Sequence, residues 1–178
     1  MNIIKGLSIA LLGAVGLGGA PGALADDKEM IDANTARAIS WLKASGKDTE
    51  ALLDRAAGVL VFPDIVKMGF GVGGEFGEGS LVVKGETVDY YVTAGTTYGM
   101  SPESEYKAEV IFFMTEEALQ EFRRTHSWKV GDHAHVPVAV SSTDELWSSH
   151  PHVGMVFSED GLVSHLQLKG DRITRIAR

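Results

Sequence analysis

The stretch Leu81-Val82-Val83-Lys84-Gly85-Glu86-Thr87-Val88-Asp89-Tyr90-Tyr91-Val92-Thr93 sets two strand-forming runs on either side of a turn. Valine, threonine and tyrosine favour extended backbone, and Lys84-Gly85-Glu86 has the composition of a tight reversal. A connection this short joins two strands only when they run antiparallel. The same logic recurs near the end of the chain, where Ser158-Glu159-Asp160-Gly161 separates expected strands over 153–157 and 162–168. Lys169-Gly170-Asp171 then turns into a last expected strand, residues 172–176.

Outward from the first hairpin, Val59-Leu60-Val61-Phe62 reads as a buried strand ended by Pro63. Residues 106–114 and 133–140 read as further strands. Helical spacing occupies 26–45, where Ile31, Thr35, Ala38 and Leu42 recur every three or four residues, and Gly46 stops it. Asp48 caps a short second helix, and Thr115 caps a third that runs to about residue 125, with Glu116 and Glu117 at its positive end. Together these predict an α+β fold in a single domain. It is antiparallel and β-rich, a curled or barrel-like sheet with N-terminal helices and one internal helix packed on it.

Residues 1–25 form a separate unit. Lys5 gives a positive start, residues 6–20 are apolar or small, and Pro21-Gly22-Ala23-Leu24-Ala25 ends in small residues before Asp26-Asp27. This is the pattern of a secretory signal peptide cleaved near Ala25, and the apolar run is shorter than the ~20 residues a membrane span needs. The expected division is therefore 1–25 leader and 26–178 domain, with the periplasm or the extracellular space as destination. The formal charge of the chain is -8, and loss of Lys5 takes it to -9. Such acidity argues against nucleic acid, whose binding rests on phosphate neutralisation. The chain has no cysteine, so the domain relies on its core rather than on disulfides.

Between residues 68 and 80 glycine stands at 69, 71, 73, 74, 77 and 79. Gly69-Phe70-Gly71-Val72-Gly73-Gly74 fits the spacing of a dinucleotide-binding turn, but the residues after it lack the apolar spacing of the helix that motif opens. On a strand, Phe70, Val72, Gly74 and Phe76 share one side and Gly69, Gly71 and Gly73 the other. A bare face of that kind admits another backbone, a helix or a ligand at close range. Glu75 and Glu78 read as solvated charges on this strand. No cysteine nucleophile and no G-x-S-x-G elbow is present, so the expectation is a protein that is not an enzyme and needs no cofactor.

His133, His135, His150 and His152 form two i, i+2 pairs, which on strands place two imidazoles on one face. They are the basis of an alternative reading as a periplasmic zinc-binding protein. Basic residues are few: Lys43 and Lys47 near the end of the first helix, Lys67 before the glycine strand, and Lys169, Arg172, Arg175 and Arg178 at the end of the chain. Clustered cations can hold a phosphate head group, and the terminal ones can equally protect an edge strand.

A known pattern runs through these landmarks. Ala57-Gly58-Val59-Leu60-Val61-Phe62-Pro63, Lys67-Met68-Gly69-Phe70-Gly71, Gly77-Glu78-Gly79 and Val110-Ile111-Phe112-Phe113-Met114-Thr115 follow one another in order. Ala118-Leu119, Phe122, Trp128, Gly131, Phe157-Ser158, Gly161-Leu162 and Leu168-Lys169-Gly170 complete the series. The chain thereby resembles the SYLF lipid-binding domain over roughly residues 36–176. The resemblance implies an exported protein that binds phospholipid or a membrane surface without turning it over. By position, it implies that Trp41, Lys43 and Lys47 on an amphipathic segment and Lys67 on a basic surface touch lipid. Phe70, Phe76, Arg172 and Arg175 complete the expected lipid-binding set, as apolar and phosphate-pairing groups. The chain departs from the family at Met100-Ser101-Pro102-Glu103-Ser104-Glu105, at residues 141–152 and at Val163-Ser164-His165. A third reading is a structural or stress-related envelope protein that contacts other proteins through the same surface.

Overall fold

The computed structural model of the chain describes residues 27–44, 47–68, 71–99, 106–141, 143–158, 161–162, 168 and 170–178. The expected leader, Phe70, the side chain of Lys47 and most of the expected strand over 162–168 lie outside them. Two helices, α1 (Lys28–Ala44) and α2 (Lys47–Arg55), lead into β1 (Gly58–Met68), β2 (Gly71–Val83), β3 (Glu86–Gly99) and β4 (Tyr106–Phe113). Then follow α3 (Glu116–Arg124), β5 (Ser127–Lys129), α4 (Leu146–Ser149), β6 (His152–Ser158), β7 (Gly161–Leu162) and β8 (Arg172–Ile176). The strands form one curled antiparallel sheet in the order β5-β8-β3-β2-β1-β4-β6-β7, which bears out the expected α+β class.

Local chemistry accounts for the joints. Val83 pairs with Glu86 across a two-residue turn in which Lys84 and Gly85 both have positive φ, 53° and 84°. That is the reversal whose twist matches the strands it joins. Thr115 caps α3 as expected, its hydroxyl accepting from the Ala118 amide at 3.2 Å.

Three expectations are corrected. Pro63 does not end the first strand, because β1 passes through a bulge between Val61 and Asp64 and pairs on to Met68. The bulge gives a residue without an amide donor a place outside the ladder. Residues 133–140 are not a strand: His133 lies in a turn with Gly131 at φ 91°, and the segment forms only isolated bridges, Ala134 to Val130 and Val138 to Gly154. Finally, β8 is not an edge strand, since it is flanked by β3 and β5.

Each face of the sheet carries its own core. On one, Ala118, Leu119 and Phe122 of α3 pack with Leu60, Phe62, Leu81, Tyr91, Ile111, Phe113 and Trp128. On the other, Leu42 and Leu52 of the N-terminal helices and Trp147 of α4 pack with Val59, Val61, Val110, Phe112 and Phe157. Alternation along β1 and β4 divides the residues between the two. Helix α1 is held by hydrogen bonds as well: Ser80 donates to Thr35 at 2.9 Å, and the Tyr90 hydroxyl donates to the Asp32 carboxylate at 2.9 Å.

The glycines of β2 are not equivalent. A Cβ on Gly79 would overlap the Val61 carbonyl and approach Phe62 Cδ1 to 2.7 Å, whereas one on Gly74 would meet the Gly95 carbonyl at an ordinary 3.6 Å. Gly79→Ala is therefore expected to cost about 1–3 kcal/mol, and Gly74→Ala less than about 0.5 kcal/mol. Urea denaturation of the two variants checks the pair. Equal losses would mean that the close approach at the bulge is not what requires glycine.

Candidate functional site

Two features stand out, one on each face of the sheet. On the α1 face, a groove of ≈ 420 Å³ runs between the helix and the sheet. Ala38, Trp41 and Leu42 of α1 form one wall, and Pro63, Val110 and Phe157 form the other. The bulge in β1 places Pro63 and Asp64 at this opening. Trp41 is 48% exposed at the lip, its ring edge-on to Phe157 at 4.7 Å. A polar chain runs along the same wall, where Arg37 donates to Asn34 at 3.1 Å and Asn34 donates to Asp64 at 3.3 Å. An apolar trough with a guanidinium at its mouth suits a molecule with an acyl part and an anionic part.

On the α3 face the sheet buries charge. Lys107 and Glu109 of β4 alternate in phase with Ile111 and Phe113, so their side chains point into the core side. Lys107 Nζ lies 2.6 Å from Glu109 and 2.8 Å from Glu75 of β2. Asp171, just before β8, completes the group: the carboxyl oxygens of Glu75, Glu109 and Asp171 all lie within 4.8 Å of one another. Glu109 is 2% exposed and Asp171 6%. Burial raises the Glu109 carboxyl above the ordinary range, against the opposing pull of Lys107. Burial and then the charges of Glu109 and Glu75 push Asp171 up to about 7. Burial also works against the Lys107 ammonium, but Glu109 and Glu75 outweigh it and hold its pKa above the usual value. The cation that this cluster needs is thus supplied by the chain itself.

No protein-family model matches the chain, and no curated protein matches it.

The expected lipid-binding residues are distributed over both faces. Trp41 lines the groove, and Lys43 stands exposed in the last turn of α1. By register Phe76, 42% exposed, and Arg172 share the α1 face, since both are aligned with Ala94 of β3. Lys67 falls on the α3 face, aligned with Glu75. Arg175 lies 3.5 Å from Asp89, which Arg123 of α3 also approaches, to 3.3 Å. Arg172 donates to Ser127 at 3.0 Å, and Arg178 pairs with Glu78. Glu75 and Glu78 are therefore not solvated charges but ion-paired groups with side chains only 10% and 7% exposed.

The four histidines do not come together. His133 accepts the Lys129 amide at 2.9 Å through Nδ1, and His152 is buried against Phe113 and Trp128. Burial lowers the pKa of His152, so its neutral form is favoured. His135 and His150 approach each other, with ring centroids 6.2 Å apart. Among the described residues, the carboxyl cluster is the one convergence of three such side chains, and it includes none of these histidines. Reading the sequence missed Arg37, Lys107, Glu109 and Asp171; the alternation of Lys107 and Glu109 with Ile111 and Phe113 was the available signal for two of them.

Proposed function

We propose that the chain is an exported, non-enzymatic protein that binds phospholipid or the membrane surface of the cell envelope, as its resemblance to the SYLF domain implies. The observation that carries this reading is the groove under α1, with Trp41 at its lip and Arg37 beside it. Trp41 presents an amphipathic ring of the kind that settles at a lipid interface. Among the described residues no helix is long and apolar enough to cross a membrane. Contact would come from this half-exposed ring, from Phe76 and from nearby cations.

Co-sedimentation of residues 26–178 with neutral and anionic vesicles, at two salt concentrations, tests the proposal. Binding is expected to favour anionic vesicles and to weaken with salt, since each cation near such a surface contributes ~1 kcal/mol before screening. Trp41→Ala is expected to weaken vesicle binding about tenfold, equivalent to ~1.4 kcal/mol, part of what a full apolar side chain contributes. Arg37→Glu should reduce the preference for anionic vesicles while leaving binding to neutral ones. Failure to bind any vesicle would overturn the reading, and unchanged binding by Trp41→Ala would move the contact away from the groove.

A further inference from the structure

We propose that the Glu75–Glu109–Asp171 cluster is a proton-dependent latch, which holds the segment entering β8 against the sheet while it retains a proton and releases it when that proton is lost. The geometry counts the charges. Three carboxyls within 4.8 Å crowd the Lys107 ammonium, so full ionisation would set like charges against one another in a buried site. Like charges at this spacing are relieved by keeping a proton.

Each element around Asp171 can be read for its charges. Strand β2 brings Glu75, β4 brings Lys107 and Glu109, and β1 carries Lys67 at the register position opposite Glu75. Strand β3 brings Gly95, where even a Cβ would overlap the Asp171 carboxyl. Arg172 of β8 is exposed and turned to Ser127. The carboxyl therefore sits at the position of a missing side chain, against two other acids.

Of the three acids, Asp171 is the one that can leave without breaking a central strand. Glu75 and Glu109 lie in β2 and β4, each paired on both sides, whereas Asp171 lies between Gly170, at φ 86°, and β8. Its tie to the rest is a short backbone ladder in which Val130 donates to the Asp171 carbonyl at 3.0 Å and Gly170 donates to Val130 at 3.0 Å. Beyond it is β5, a three-residue strand at the sheet edge. A charge forced on Asp171 acts on this short margin of the sheet.

The sign follows from linkage. The folded chain binds a proton that the unfolded chain has already lost between the ordinary aspartate range and about pH 7, where Asp171 titrates. The contribution to stability is full at low pH and is lost as pH rises through that value. The three carboxyls do not line the groove under α1, although Lys107, which they surround, also borders it.

Amide hydrogen exchange of the full chain, corrected for intrinsic rates, tests it. Peptides covering β5, residues 130–131 and 170–176 are expected to exchange about tenfold faster at pH 8.5 than at pH 6, the rise coming as pH approaches the titration near 7 and levelling off above it. Asp171→Asn should abolish that rise. Glu75→Gln, which removes a neighbouring charge and leaves Asp171 in place, should reduce it and serves if the first variant does not fold. Equal protection at both pH values, or an undiminished rise in whichever variant folds, would overturn the latch.

Discussion

Replacing Lys107 by methionine is expected to cost about 3–5 kcal/mol near pH 8, and much less near pH 5. The ammonium is the cation that lies between Glu75 and Glu109, and its side chain is itself only 10% exposed. Methionine fills a similar volume without charge, so the loss measures electrostatics more than packing. With the cation gone, three buried carboxyls repel one another, and they can escape only by taking up protons. The folded state of the variant then binds more protons than the unfolded state through the neutral range, so its stability falls as pH rises. Adding Glu109→Gln removes one of the stranded charges and should recover part of the loss. Urea denaturation at the two pH values decides the matter. A loss of the same size at both would show that Lys107 matters through the packing of its stem.

That cluster also shows where the sequence stops being informative. The hairpin at Lys84-Gly85 and the Thr115 cap could be read directly, because each is a local solution to a local problem: positive φ in one, an orphan amide in the other. The bulge at Pro63 could not, since a proline ends a strand or is absorbed by one according to what the neighbouring strands do. The turn at His133 depends on its own imidazole accepting the Lys129 amide, a contact that competes with the extended backbone expected there. Glu75, Lys107 and Asp171 lie far apart in the chain. They meet because β2 and β4 both pair with β1, setting Glu75 opposite Lys67 and Lys107 opposite Ile65. The groove had a similar history: Trp41 could be picked out from α1 alone, but its partner Phe157 arrives from β6. Spacing identified the elements, and the sheet order determined which side chains share a site.

Phe122→Ala is expected to cost about 3–5 kcal/mol, the range for emptying a buried aromatic site. Phe122 is fully buried on the inner side of α3, with ring centroids 4.8 Å from Phe113, 4.9 Å from Tyr91 and 5.4 Å from Trp128. These neighbours come from β4, β3 and β5, so one side chain ties the helix to both halves of the sheet. A nine-residue helix has little stability of its own and depends on such anchoring. The surrounding rings are large and stiff, which limits their collapse into the space and favours the upper part of the range. Phe122→Leu, which keeps most of the volume, should cost markedly less. The groove under α1 belongs to the other core, built on Leu42, Val110 and Phe157. A Phe122→Ala protein kept folded at low temperature should therefore bind vesicles as the parent does, although its denaturation midpoint has fallen. If the folded variant lost vesicle binding, the lipid-contacting surface would have to lie on the α3 face, and Lys67 and Arg175 would replace Trp41 as the residues to test.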